Sequence, residues 1–179
     1  MRVITGFAKK KPLLTLNEKT LRPTIARVKE AMFSIIQFEI ENKDVLDLYS
    51  GSGQLGIEAL SRGAKSCTFV DCSPKAHKIE IENLKNTKLT KNAKVIISDA
   101  LTFLKNTKNK YDIIILDPPY KENMLCDALN LAQFKLTKDG IIICEHLKKL
   151  ELNDDFSNII LQKQYDYGKI RLSFFKNKT

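Results

Sequence analysis

The chain has 179 residues, 43% of them hydrophobic, and a formal net charge of +9. That length suits one domain with a core large enough to stand alone. No apolar run nears the roughly 20 residues that span a bilayer. The start, Met1-Arg2-Val3-Ile4-Thr5-Gly6, lacks the apolar stretch and cleavage site of a signal peptide. A soluble, cytoplasmic, monomeric protein with no membrane partner is the expectation.

The positive charge points to a polyanion such as nucleic acid. Most of it is lysine scattered among Asn and Ile, which compositional drift also explains. The five arginines are Arg2, Arg22, Arg27, Arg62 and Arg171, three of them within the first thirty residues. Cys67, Cys72, Cys126 and Cys144 form no Cys-x-x-Cys pair, and His77 and His146 complete no zinc pattern. No metal is expected. Cys67 and Cys144 lie in apolar runs and read as packed thiols.

Residues 1–23 read as extended, with 2–5 and 12–16 pairing as a hairpin across 6–11. Lys9, Lys10 and Lys11 on that loop are either solvated surface or, with Arg2 and Arg22 nearby, an arm that contacts phosphates. Arg22-Pro23-Thr24 introduces a helix with Thr24 as N-cap. Ile25, Val28, Met32, Ile35 and Ile36 form its apolar stripe, with Arg27, Lys29 and Glu30 off the stripe or at its edge. Asn42-Lys43 is a polar break, which divides the chain into a basic segment, 1–42, packed on a main domain, 43–179.

In the main domain strands alternate with helices. A strand at 45–49 enters a glycine loop and a helix stopped at Gly63. A strand at 66–70 ends at Asp71, and Pro74 opens the next helix. A strand at 94–98 ends at Asp99-Ala100, followed by a short helix. The strand at 112–117 precedes a helix over 123–134. Asp139-Gly140 is expected to turn into a strand at 141–145. Stretches at 159–163 and 170–175, separated by 165–168, suit an antiparallel hairpin. This pattern predicts an α/β fold, a seven-stranded, mostly parallel sheet with a C-terminal antiparallel hairpin, behind an N-terminal β-hairpin and helix.

Asp112-Ile113-Ile114-Ile115-Leu116 reads as a strand buried on both faces. Asp117-Pro118-Pro119-Tyr120 ends it, because proline lacks a backbone donor and has a fixed φ. A carboxylate, a rigid carbonyl at Pro118 and an aromatic ring are left at the edge where α/β sheets bind ligands. Together they suit a planar ring with an exocyclic amine. Hydrogen bonds from that amine to Asp117 and the Pro118 carbonyl would draw its nitrogen toward tetrahedral geometry. Tyr120 would stack on the base, which must be extruded from any helix to reach it.

Gly51-x-Gly53-x-x-Gly56 fits a dinucleotide fingerprint, with Asp71 about 20 residues on. Asp47, just before the loop, adds an anion that would not help hold a pyrophosphate but suits a cationic ligand such as S-adenosylmethionine. On that reading Asp47 lies near the methionine end, Asp71 accepts from the ribose hydroxyls and Asp99 from the adenine amine. Gly51 and Gly53 admit the ligand to the backbone, and Tyr49, Ser50, Ser52, Ala100 and Asp117 complete the cofactor set. An aspartate at a strand end is also a common turn residue and cap.

Asp47-x-x-x-Gly51-x-Gly53 with Asp117-Pro118-Pro119-Tyr120 resembles the class I S-adenosylmethionine-dependent amino-methyltransferases, which have a Rossmann-like fold. Met1-Arg2-Val3-Ile4-Thr5-Gly6, Leu21-Arg22-Pro23-Thr24, Arg27-Val28-Lys29-Glu30 and Leu55-Gly56 through Arg62-Gly63 resemble one family, the bacterial 16S ribosomal RNA guanine-N2 methyltransferase RsmD. The resemblance implies methylation of N2 of one guanine in small-subunit 16S rRNA, within an assembled or assembling subunit. Arg2, Lys9, Lys10, Lys11, Arg22 and Arg27 would then contact RNA. The family often carries more arginine where this chain has Lys9 to Lys11. The alternative is an adenine-N6 methyltransferase acting on DNA or another RNA. A nicotinamide oxidoreductase and a non-catalytic RNA-binding module are weaker readings.

Overall fold

Ile113, Ile114, Ile115 and Leu116 are all buried, because their strand lies inside a sheet covered on both faces. The computed structural model describes residues 1–16, 23–119, 124–152 and 155–178, with residues 23–25 in backbone only. Its elements in order are α1 (Pro23–Ile35), β1 (Asp44–Leu48), α2 (Gln54–Ser61), β2 (Ser66–Asp71), α3 (Pro74–Thr87), β3 (Ala93–Ile97), α4 (Ala100–Asn106), β4 (Tyr111–Leu116), α5 (Met124–Ala132), β5 (Leu136–Leu147), β6 (Ile159–Tyr167) and β7 (Ile170–Asn177). The seven strands lie in the order β3-β2-β1-β4-β5-β7-β6. The first five run parallel, while β7 is antiparallel to both β5 and β6.

Alternation along the strands divides the core. Val45, Cys67, Phe69, Ile113, Ile115 and Ile143 face a layer that includes Val28, Met32 and Phe33 of α1, Leu55 and Ile57 of α2, and Leu84 of α3. Leu46, Leu48, Ile114, Leu116 and Ile142 face Leu104 of α4 and Leu125, Ala128 and Leu129 of α5. Each fully buried Ile or Leu contributes about 1.5–3 kcal/mol. Cys67 and Cys144 are buried free thiols. No helix among the described residues is long and apolar enough to cross a membrane.

The N-terminal segment departs from expectation. Instead of a ladder it makes one antiparallel bridge, Arg2 to Pro12: the N–H groups of Val3, Lys10 and Leu13 still donate across the segment, whereas those of Ile4, Thr5, Phe7 and Ala8 go to α2. Glu58, fully buried, accepts from Ile4 N at 2.8 Å, Thr5 N at 3.0 Å and Arg62 Nε at 2.8 Å, and pairs with Lys29 at 3.5 Å. Phe7 N donates to the Ser61 carbonyl and Ala8 N to Ser61 Oγ. Lys29 is therefore not at the edge of the helix stripe but 2% exposed, and its ammonium also reaches the Arg2 carbonyl.

Three other boundaries differ. The helix α1 begins at Pro23, so Thr24 lies inside it rather than capping it; proline suits the first helical position because that N–H is unpaired anyway. Asp139-Gly140 is not a turn: it falls within β5, where the register against β4 shifts between Tyr111 and Ile113. Tyr165, Asp166 and Tyr167 belong to β6, which pairs on to a tight connection at Gly168-Lys169. Arg171 and Lys148 both pair with Asp166 at 2.6 and 2.8 Å, which holds this end of the hairpin.

Candidate active site

Strands β1, β2 and β4 end side by side in register, Asp47 opposite Phe69 and Ile115. Their C-terminal residues present carboxylates along one edge. Asp47, 1% exposed, uses Oδ2 to accept from Gly56 N at 2.8 Å, in the first turn of α2. Its Oδ1 is buried without a partner. Burial raises its pKa well above the carboxylate range, and Glu80, Asp117 and Asp71 add to the rise against the opposing Gly56 bond.

The glycine loop runs from Tyr49 to Gly53. Gly51 and Gly53 adopt φ of +57° and +75°, a left-handed conformation that glycine adopts without Cβ strain. Gly56 has a different reason: a Cβ there would lie 2.3 Å from the Phe69 ring, so α2 packs closely on β2. Ser50 and Ser52 are buried. Tyr49 is half-buried at φ +63°. Its hydroxyl is pushed up to about 12 by burial first, then by Asp99, Asp127 and Cys72.

Asp71 ties the loop to its strand, accepting from Gly51 N at 2.9 Å through one oxygen and Ser73 N at 2.8 Å through the other. Asp99 caps α4, accepting from Thr102 N at 2.9 Å. That bond, outweighing a small burial effect, holds its carboxyl below the usual range. Ala100 opens the same helix and is buried. Both aspartates thus serve as caps or turn anchors, and each oxygen retains lone pairs for a further donor.

Asp117 follows β4 and is half-buried, beside a buried Pro118 and an exposed Pro119. Burial pushes its carboxyl up to about 7. Tyr120 lies outside the described residues, as does Arg22.

The basic residues form a separate region. Arg2, Lys9, Lys10, Lys11 and Arg27 are exposed. Arg2, Lys9 and Lys10 line a groove of about 760 Å³ with Ala26, Lys29 and Glu30 of α1; Lys11 and Arg27 lie outside it. The loop that carries the lysines docks at the C-terminal end of α2, whereas the glycine loop is at its N-terminus. Eight residues of helix separate the two by about 12 Å.

Two residues of α3 escaped the sequence reading. Asn83, fully buried, donates to the carbonyls of Leu14 at 3.0 Å and Ser52 at 2.9 Å and accepts from Leu14 N at 2.8 Å. It thereby straps the N-terminal segment to the glycine loop. Glu80 is 1% exposed, with Oε1 unpartnered. Burial raises it to about 7; the Ser50 hydroxyl opposes this and Asp71 adds to it. Ser50 Oγ itself makes no hydrogen bond of normal geometry. The available signal was spacing: Ala76, Glu80, Asn83 and Thr87 recur at helical intervals, so the buried stripe of α3 is largely polar.

This strand order, with a parallel sheet closed by an antiparallel hairpin, is the class I methyltransferase fold. The family described as Conserved hypothetical protein 95 matches residues 1–176. A candidate rRNA methyltransferase of Bacillus subtilis, YlbH, is 38% identical over 99% of this chain and 100% of its own length. Ribosomal RNA small subunit methyltransferase D of Buchnera aphidicola is 35% identical, covering 96% of this chain and 87% of that protein. Among solved structures, a candidate methyltransferase of Escherichia coli, yhhF, superposes with a TM-score of 0.87 at 28% identity, over 100% of this chain and 98% of its own. The chain belongs to the RsmD family of S-adenosylmethionine-dependent methyltransferases.

Proposed function

We propose that the protein transfers a methyl group from S-adenosylmethionine to the exocyclic N2 of one guanine in 16S rRNA, within an assembled or assembling small subunit. The observation that carries this reading is Asp117: a half-buried carboxyl held by two prolines at the end of β4, beside Asp47 and the glycine loop. Small-subunit rRNA is the substrate named for the Buchnera relative, and the basic groove suits a phosphate backbone.

The residues fit the cofactor. Asp47 keeps a buried oxygen without a partner, suited to the positively charged methionine end. Tyr49, Ser50, Gly51, Ser52 and Gly53 would hold that end, Asp71 the ribose, and Asp99 with Ala100 the adenine. When bound, the cofactor supplies an electrophilic methyl group. Asp117 accepts one N–H of the guanine amine and the Pro118 carbonyl the other, with Pro119 fixing the turn. The amine nitrogen, poorly nucleophilic while conjugated to the ring, is thereby oriented, and its growing positive charge is met by a carboxylate. After transfer the nitrogen is acidic and its proton passes to Asp117 or water. Tyr120 would stack on the base.

Arg2, Lys9, Lys10, Lys11, Arg22 and Arg27 would hold the RNA backbone, making residues 1–42 a docking segment and 43–179 the methyltransferase domain. A cytoplasmic monomer suits this task. The test is methyl transfer to small subunits from cells lacking the protein, compared with free 16S rRNA and duplex DNA. Labelling of subunits is expected; labelling of DNA alone would favour the adenine-N6 reading.

A further inference from the structure

Five buried side-chain atoms on β1, the glycine loop and the flanking helices α2 and α3 have no hydrogen bond of normal geometry: Asp47 Oδ1, Ser50 Oγ, Gln54 Oε1, His77 Nδ1 and Glu80 Oε1. Elsewhere among the described residues only Tyr111 Oη is in the same state. Buried polar atoms are nearly always paired, so such a concentration marks a place built for something else. No group of three or more His, Cys, Asp or Glu among the described residues is arranged to hold a metal. Two of the five atoms belong to carboxyls that are each 1% exposed. Glu80 lies directly under the loop: a Cβ on Gly53 would sit 3.2 Å from its Cγ.

We infer that Glu80 is a cofactor-selecting residue: with Asp47 it forms an acid pair beneath the glycine loop that yields a proton to solvent when the cationic methyl donor binds, so the site prefers that donor to its neutral product. Donor and product share the amino-acid ammonium and carboxylate; the donor alone adds a sulfonium charge, and once the methyl has left the remaining thioether carries none. Two buried carboxyls close together cannot both ionise in an empty, poorly solvated site. A fixed positive charge above the loop removes that restriction. The acid pair therefore interacts with the donor more strongly than with the product, which favours product release.

The groups facing Glu80 are consistent with this. Asp47 lies on β1, Cys67 and Asp71 on β2, and His77 one turn earlier on α3, while Asp117 after β4 acts on Asp47. Among the described residues no cationic side chain offsets the charge of either carboxyl. With a Glu80 carboxyl near 7 in the empty protein, about half a proton leaves at neutral pH on binding a cation.

The inference rests on S-adenosylmethionine as cofactor and not on the identity of the RNA base. Its test is calorimetry on the full chain with three ligands: S-adenosylmethionine, S-adenosylhomocysteine and sinefungin, whose amine replaces the sulfonium methyl. An Asp117→Asn background removes the other raised carboxyl nearby. Titrations in buffers of different ionisation enthalpy count the protons released. The two cations are expected to release about half a proton at pH 7, and their affinity to rise about tenfold from pH 6 to pH 8; the neutral product releases much less. Adding Glu80→Gln is expected to abolish the difference in proton release and shrink the preference for the donor. Equal release by all three ligands in the parent protein, which needs no Glu80 variant, overturns the role of Glu80. So does unchanged release in the Glu80→Gln protein. Absence of binding by all three overturns the cofactor assignment and the inference with it.

Discussion

Two fully buried glutamates, Glu58 and Glu80, stand only 22 residues apart on adjacent helices and do opposite things. Glu58 is saturated: two backbone N–H groups, the Arg62 guanidinium and the Lys29 ammonium converge on it. Glu80 has an oxygen with no partner and a pKa raised by burial. The first is a clamp that fastens the N-terminal segment to α2. The second is an acid that keeps a share of its proton until a ligand binds. A buried acid announces a site when its lone pairs are unmet, and structure when they are met. Lys29 follows the same logic, since burial lowers its pKa while Glu58 opposes that shift.

The largest expected effect falls on the ligand side. Asp117→Ala should reduce methyl transfer by about a hundredfold to a thousandfold or more, by analogy with the loss of one charge-stabilising group, while cofactor affinity by calorimetry stays within a few-fold. Near-normal turnover would remove Asp117 from the chemistry. On the clamp side, Glu58→Ala leaves Lys29 buried and uncompensated. It should cost about 3–5 kcal/mol in urea unfolding and release residues 1–16 to proteolysis. Loss of cofactor affinity without loss of stability would mean that the two glutamates are not so different.

Asp71→Ala should weaken S-adenosylmethionine binding by about tenfold to a hundredfold, through the lost ribose contact and the untied Gly51 amide. The pH profile has a defined sign. The Asp117 carboxyl is raised to about 7, and only its ionised form accepts both from the amine and its developing charge. So kcat/KM should climb with pH below about 7 and level off above about 8. A flat profile across pH 6–8 would mean that Asp117 is ionised throughout. The smallest effect belongs to the groove: changing Lys9, Lys10 and Lys11 together to Glu should weaken binding to small subunits and flatten its salt dependence. An unchanged slope would make that loop solvated surface.

The sheet was legible because β4 and the core of β5 are written as unbroken branched apolar runs, and because Asp47, Asp71, Asp99 and Asp117 lie at or near the C-terminal ends of four strands. Irregularities were not. The bulge in β5 leaves no local mark distinguishing Asp139-Gly140 from a turn. The N-terminal hairpin stops short of a ladder because four of its N–H groups go instead to Glu58 and Ser61, more than fifty residues away. Lys29 looked solvated because the acid that buries it is likewise distant in sequence. The acceptor and donor motifs were readable as residues. Glu80 and Asn83 were not, since a polar residue at a buried helical phase reads as a surface one until the opposing loop is in place.

The central claim concerns the acceptor base. The direct measurement is mass spectrometry of nucleosides from small subunits of cells lacking the protein, after incubation with it and S-adenosylmethionine carrying a heavy methyl group. The account predicts N2-methylguanosine carrying the label, at one position of 16S rRNA, and none with Asp117→Ala. Label in N6-methyladenosine, or label that persists in the Asp117→Ala protein, would contradict it.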